Sequence, residues 1–277
     1  MQKKQQKTLF TGGIKMSFSL NNFLIDRVRR GTMFSDTTGE ALWSITQIKD
    51  ASLNMSSETA DATDAIGNVI TQFDRSKNAE FSATNALWDF GLSAAQFGHE
   101  KKVASSTEKI RTPMYEQLVV NGGKIVLSQV PAGTTGAEIK YIYALNNDST
   151  LGTKYTLGTS VSATEFTLDA ATKTITVPTG VTGNIAVFYD YDAEEAVMLQ
   201  NNASEFPKAG KFMLEVIGKD TCDKTATYVA YLVFPNAKLK TDMELGFNTD
   251  SGHPFSMQMM QDYCDLEKRL FNIYIAK

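Results

Sequence analysis

Lys211-Phe-Met-Leu-Glu-Val-Ile-Gly218 and Ala226-Thr-Tyr-Val-Ala-Tyr-Leu-Val-Phe234 decide the fold. Both runs are rich in β-branched and aromatic residues, and both are long enough for central strands of a sheet. Pro235 and Asn236 are expected to close the second run, because proline cannot donate to a ladder. Phe255-Ser-Met257-Gln-Met259 alternates apolar and polar residues and predicts a strand with one buried side. Leu270-Phe-Asn-Ile-Tyr-Ile275 predicts the last strand.

Working back toward the N-terminus, Ala41–Ile48 reads as a strand. Val69–Asp74 and Asn78–Thr84 read as two strands around Arg75-Ser76-Lys77. Ser17–Val28 alternates poorly and is expected to be loop with at most a short strand. Asn54–Gly67 (NMSSETADATDAIG) is polar and acidic, and is either a mobile loop or a partly solvated hairpin. The segment 49–68 has too little apolar surface to offset its own ordering entropy, so it is expected to order only against a partner. In the middle of the chain, short β-runs recur at Leu118–Val120, Lys124–Leu127, Ile139–Tyr143, Phe166–Leu168, Thr174–Val177 and Ile185–Tyr191. They are broken by turn signals such as Asn121-Gly122-Gly123 and Pro178-Thr-Gly180. This spacing is that of an immunoglobulin-like sandwich. It predicts a β-rich insert over 121–192, flanked by an arm and first half over 1–120 and a second half over 193–277.

One helix is expected over 84–97. Thr84 or Asn85 can cap it and Gly98 can end it. Leu87, Phe90, Ala94 and Phe97 recur at helical spacing, with Trp88 and Leu92 widening the stripe toward a sheet. The predicted fold class is thus mainly β: a β-sandwich with one flanking helix and an inserted β-rich subdomain.

Composition excludes several functions. The formal net charge is -4 over 277 residues, and binding phosphate by counterion release needs clustered bases. The short basic groups at Lys3, Lys4 and Lys7, at Arg27, Arg29 and Arg30, and at Lys101 and Lys102 read as solvated. Residues 1–15 are polar and basic without a period, and are expected to form an extended arm. No apolar stretch follows them, so no secretion leader is expected, and no run approaches the ~20 apolar residues of a membrane helix. Cys222 and Cys264 then read as two reduced thiols or one disulfide. The glycosylation sequons at Asn54, Asn147 and Asn202 read as chance matches.

Reaction chemistry is sparse. His99 follows the helix and is expected to face solvent, and His253 sits in a Ser-Gly-His-Pro turn. No serine has a nucleophile elbow around it, and no glycine-rich loop carries the Lys and Ser/Thr of a phosphate cradle. Glu58, Asp61 and Asp64 lack the glycine-centred spacing of a calcium loop and read as a solvated acidic loop. Asp190, Asp192, Glu194 and Glu195 read as a solvated guard on a strand edge. No catalytic, cofactor or metal residue is expected, and no enzyme.

Four segments resemble the tail tube (major tail) proteins of tailed bacteriophages. They are Ser44-Ile-Thr-Gln-Ile-Lys-Asp50 running into the polar segment, and Asp64–Lys77 followed by Ala79-Glu-Phe-Ser82. The third is Ile185-Ala-Val-Phe-Tyr-Asp-Tyr191, and the last is Phe255–Cys264 with Lys268–Ile275. The resemblance implies a structural virion protein of the tail, made in the host bacterial cytoplasm. Six copies would form a ring, and stacked rings would line the conduit for DNA ejection without binding DNA specifically. Its implied partners are further copies and other tail proteins: the tape measure, terminator and baseplate. Within this reading, Glu58, Asp61 and Asp64 belong to an inter-ring contact loop, and Lys3, Lys4 and Lys7 to an assembly arm. Two other readings stay open: another phage ring protein, such as a tail terminator or baseplate component, and a non-viral adhesin or carbohydrate-binding module of immunoglobulin type. Against the second stand the missing leader and the placement of Trp43 and Trp88 in periodic apolar segments, which predicts both as core.

Overall fold

The computed structural model of the chain describes residues 22–221, 225–263 and 266–276. Lys3, Lys4, Lys7, Cys222 and Cys264 lie outside the described residues. In chain order the strands are β1 (Phe23–Ser35), β2 (Ala41–Ile45), β3 (Ile48–Thr63) and β4 (Val69–Asn85), then helix α1 (Phe90–Phe97). Next come β5 (Lys102–Val103), β6 (Ile110–Val119), β7 (Lys124–Val126), β8 (Tyr141–Leu145), β9 (Leu151–Leu157), β10 (Glu165–Asp169), β11 (Thr174–Thr176), β12 (Asn184–Ala193) and β13 (Val197–Met198). The last are β14 (Ala209–Asp220), β15 (Thr227–Leu239), β16 (His253–Met259) and β17 (Asn272–Ala276). The protein is mainly β, as its sequence predicts, with one helix among the described residues.

The described residues up to His99 and those from Asn201 onward form one unit. Its sheet has the order β2-β1-β14-β15-β16-β4-β3, with β17 also on β15. β14 and β16 explain why. On β14, Phe212, Leu214 and Val216 point to one side and are buried, and on β16, Phe255, Met257 and Met259 do the same. β15 is the corner. It pairs with β14 through most of its length but with β16 only over Ala237–Leu239. Phe81 of β4 therefore lies over Phe212 of β14, with ring centroids 5.4 Å apart, although two strands separate them in the sheet order. The sheet curls on itself and closes over Trp43, Phe81, Phe212, Phe234 and Phe255.

Pro235 does not end β15. Between the pairs Gly210↔Ala237 and Phe212↔Phe234, one residue of β14 faces Pro235 and Asn236 together, so the proline occupies a bulge. A bulge is where a strand tolerates a residue without N–H, and it supplies the bend that passes β15 from one layer to the other. Gly210 sits in the same bulge. A Cβ there would run into the Phe34 carbonyl oxygen, so only glycine lets β1 and β14 approach.

Several local expectations are corrected. Ser17–Val28 is not loop from Phe23 on, because β1 starts there and pairs with β14 along its length. Val69–Asn85 is one continuous strand, with Arg75 absorbed as a bulge opposite β3. The helix is shorter than 84–97, because Thr84 and Asn85 are already held in the ladder by β3 and β16. Asp89 is the cap instead, its Oδ1 accepting the Leu92 N–H at 2.7 Å, and Gly98 ends the helix with φ 73°. The buried face is Leu92, Ser93, Ala94 and Gln96, while Phe90 is 43% exposed and Leu87 and Trp88 are exposed. Trp43 is core, as expected; Trp88 is not.

The second unit runs from Glu100 to Gln200, so β6, read from sequence as preceding the insert, lies inside it. β6 pairs with β12 along ten positions from Ile110 to Val119. The order β6-β12-β8-β9-β10-β11-β7 divides at β10, which pairs with β9 on one side and β11 on the other. Asn121-Gly122-Gly123 makes the expected turn, with both glycines at positive φ. The core holds Ile142, Phe166, Ile175, Ile185 and Val187. One polar pair is buried beside it. Tyr189 Oη donates to Glu116 Oε1 at 2.6 Å, and the Ser128 N–H donates to the same carboxylate at 3.1 Å. Burial and this bond push the Tyr189 phenol well above the ordinary tyrosine range. The neutral phenol is thus the folded form, so its contribution is present below about pH 10 and is lost as the pH climbs toward the folded value. Tyr189→Phe leaves the buried carboxylate short of a donor and should cost about 1–3 kcal/mol, read as a lower calorimetric transition of the full chain. An unchanged transition would contradict this account.

Candidate functional site: an exposed hairpin

β3 and β4 are far longer than their core needs. Ala79, Phe81, Ala83 and Asn85 of β4 are buried, but every residue from Val69 to Asn78 is exposed. On β3 only Ile48, Leu53, Ala60 and Ala62 are even half-covered. The two strands stay paired past the sheet, from Ser57↔Lys77 to Thr63↔Val69, with register shifts after Glu58 and after Ala62. At about 3.3 Å per residue, the Ser57–Thr63 leg alone projects roughly 20 Å. Of the two readings of the polar segment, loop or partly solvated hairpin, the hairpin is the one found: the segment is one leg and the tip of a hairpin with β4, held by backbone pairing rather than by burial.

Asp64 builds the tip. Its Oδ1 accepts the N–H groups of Ile66 at 3.0 Å and Asn68 at 2.8 Å, and Gly67 supplies the positive φ of 93°. The Asn68 N–H, followed by the other turn donors, holds this carboxyl below the usual aspartate range. Asp61 accepts from Gln72 Nε2 at 3.0 Å across the strands, and the same amide reaches Thr59 Oγ1 at 3.1 Å. Glu58 lies opposite Ser76 beside the Arg75 bulge, and strand alternation turns it to the face away from Asp61. The three candidate residues thus share one hairpin but no single point: one shapes the tip, and two mark its opposite faces.

What sequence reasoning missed is apolar. Ile66 is 84% exposed at the tip and Phe73 is 56% exposed on the return strand, with Met55, Val69 and Ile70 also exposed. The signal was present in Val69-Ile70 and Phe73, but those residues read only as a strand, with no side assigned to solvent. The edges are open too. β3 ends the sheet, and β16 pairs β4 only from Ala79 to Asn85, so among the described residues neither side of the hairpin beyond Asn78 has a ladder partner. A two-stranded ribbon is marginal on its own in water, and exposed apolar strands of this length call for a partner surface.

The remaining polar groups are arranged structurally. His253 is not in a turn but buried in β16. Its Nε2 lies 2.6 Å from Gln96 Oε1, and its Nδ1 accepts the Asp89 N–H at 3.4 Å, which ties β16 to the start of α1. Burial holds its pKa below the ordinary histidine range, against a smaller opposing pull from Asp89. The unfolded chain then binds the proton more readily. His253's stabilisation is complete above about pH 6.5 and is lost as acid brings the pH down through the folded value. The melting temperature should fall between pH 7 and pH 5.5, and His253→Gln should flatten that slope; an equal slope in both proteins would contradict it. His99 meets Glu205, Nε2 to Oε2, at 3.4 Å. The acidic run is exposed, as expected, but two of its members are paired: Asp192 with Arg111 at 2.7 Å and Glu194 with Lys109 at 2.8 Å, all four side chains about half accessible. These pairs line a cavity of about 830 Å³ in the second unit. Among the described residues, no three His, Cys, Asp or Glu side chains come together as metal ligands, and no helix is long and apolar enough to cross a membrane.

The β3–β4 ribbon, with exposed Ile66, Val69, Ile70 and Phe73, is the feature of the described residues that presents apolar surface for contact. The chain matches the YomU/Tube protein family over residues 23–267 and belongs to it. This is a family related to the tubes of phage tails, and the chain is accordingly a tube-type structural protein. No curated protein matches the chain.

Proposed function

We propose that this chain is the repeating subunit of a phage tail tube, in which six copies close into a ring and rings stack around the DNA conduit. The β3–β4 hairpin carries the reading. It projects beyond its own core, exposes Ile66 and Phe73, and has no ladder partner on either edge among the described residues, as an inter-ring contact requires. Glu58 and Asp61 are then side chains of that contact, and Asp64 is the residue that shapes its tip. The net charge of -4 suits a lumen that lets phosphate pass without holding it. The subunit would reside in the virion tail after synthesis in the bacterial cytoplasm, and its tube would meet the tape measure, terminator and baseplate proteins. Negative-stain microscopy of the purified full chain tests this. Stacked six-fold rings are expected, and particles that stay monomeric at milligram-per-millilitre concentration would overturn it.

A further inference from the structure

β1 is flanked unevenly. β14 pairs with it from Phe23 to Ser35, but β2 pairs only with Gly31, Thr32, Met33 and Phe34. The outer edge of Phe23–Arg30 has no ladder partner among the described residues. Bulges at Asp26 and Arg29 twist this stretch, so side chains rather than a long regular ladder must select what binds there.

Those side chains are distinctive. Leu24 is 66% exposed and Ile25 63% exposed, and as consecutive strand residues they leave apolar surface bare on both faces. Arg27, Arg29 and Arg30 stand against Asp26 alone within the stretch. Arg29 is engaged by Glu215 at 3.1 Å, and Arg27 touches Asp26 at 3.4 Å with both side chains solvated. The distal hairpin is the complement. Over Ser57–Lys77 it carries Glu58, Asp61, Asp64 and Asp74 against Arg75 and Lys77, both of which sit at the base of the ribbon, and the part beyond Arg75 joins its carboxylates to exposed Ile66, Val69, Ile70 and Phe73. A basic strand edge with bare apolar residues and an acidic ribbon with bare apolar residues are matched in charge and in character.

We infer that the distal β3–β4 hairpin of one copy docks on the Phe23–Arg30 edge of β1 in a second copy. This rests on the tube reading and names the surface that receives its hairpin. Its charges remain near water, so the contact weakens with salt while the apolar part persists.

Photocrosslinking in the full chain tests it. Phe73 is replaced by p-benzoylphenylalanine, the protein is mixed with isotope-labelled wild type and irradiated, and intermolecular products are mapped by mass spectrometry. Crosslinks to residues 22–30 of the labelled copy are expected. Arg27→Glu with Arg30→Glu in the labelled copy should lower their yield about tenfold, since like charges would then face across the interface. Glu58→Lys with Asp61→Lys in the crosslinking copy should restore it, and melting curves confirm that each variant folds. Crosslinks elsewhere on the second copy, residues 1–21 included, overturn the inference but leave self-assembly standing, as does a yield indifferent to charge reversal. Absence of any intermolecular product overturns both the inference and the tube reading.

Discussion

Replacing Ser57–Lys77 by a two-residue Asn-Gly turn is expected to abolish tubes while leaving the melting temperature within about 2 °C of wild type. Ser56 and Asn78 face each other in the ladder, so the shortened strands meet where such a turn fits. The excised ribbon contributes no buried side chain to the core, and a lone hairpin is marginal in water. In a unit of this size a loss of 1 kcal/mol would appear as a shift of about 2–4 °C. Calorimetry and microscopy on one preparation separate the two effects. Tubes of normal length from the shortened chain would remove the hairpin from assembly, and a large drop in melting temperature would make it part of the core.

The second large effect lies in the core. Phe212 is fully buried, with Phe81 at 5.4 Å, Trp43 at 5.8 Å and Phe234 at 5.8 Å between ring centroids. It joins the two layers of the curled sheet, so no single neighbour can move to fill its place. Phe212→Ala should cost about 3–5 kcal/mol, a large share of the stability of a typical domain. Phe90→Ala, at a position that is 43% exposed and touches Trp88, should cost about 1 kcal/mol or less. Urea unfolding midpoints of the two variants give the ranking; the reverse order would place the core on the wrong side of the helix.

The contrast shows which signals a sequence carries. Lys211–Gly218 and Ala226–Phe234 were legible as strands from their length and residue types, and Phe255–Met259 from its alternation, because one face of that strand meets the core and the pleat imposes a period of two. The hairpin leg Asn54–Thr63 was legible only as one of two choices, loop or hairpin, because both its faces are largely exposed. Nothing selects apolar residues at alternate positions, and only pairing with β4 makes it a strand. The helix was legible as a helix but its start was not. Thr84 and Asn85 are good caps in isolation, yet the ladder to β3 and β16 had already claimed them. Its inward face follows from what covers it, which is why Leu92, Ser93 and Gln96 are buried instead of Leu87 and Phe90. His253 read as a turn residue because its partner Gln96 lies 157 positions away. Of the candidate site, Glu58, Asp61 and Asp64 were visible as an acidic group in a segment that seeks a partner. The exposed Ile66, Val69, Ile70 and Phe73 were not, since exposure is a property of the fold.

The central claim is that copies of this chain assemble through the hairpin. Cryo-electron microscopy of the purified, concentrated protein tests it most directly, because one reconstruction gives both the copy number per ring and the position of residues 57–77. Six copies per ring, with each hairpin lying against a subunit of the adjacent ring, is the predicted result. A tube or ring in which residues 57–77 point into free solvent would contradict it.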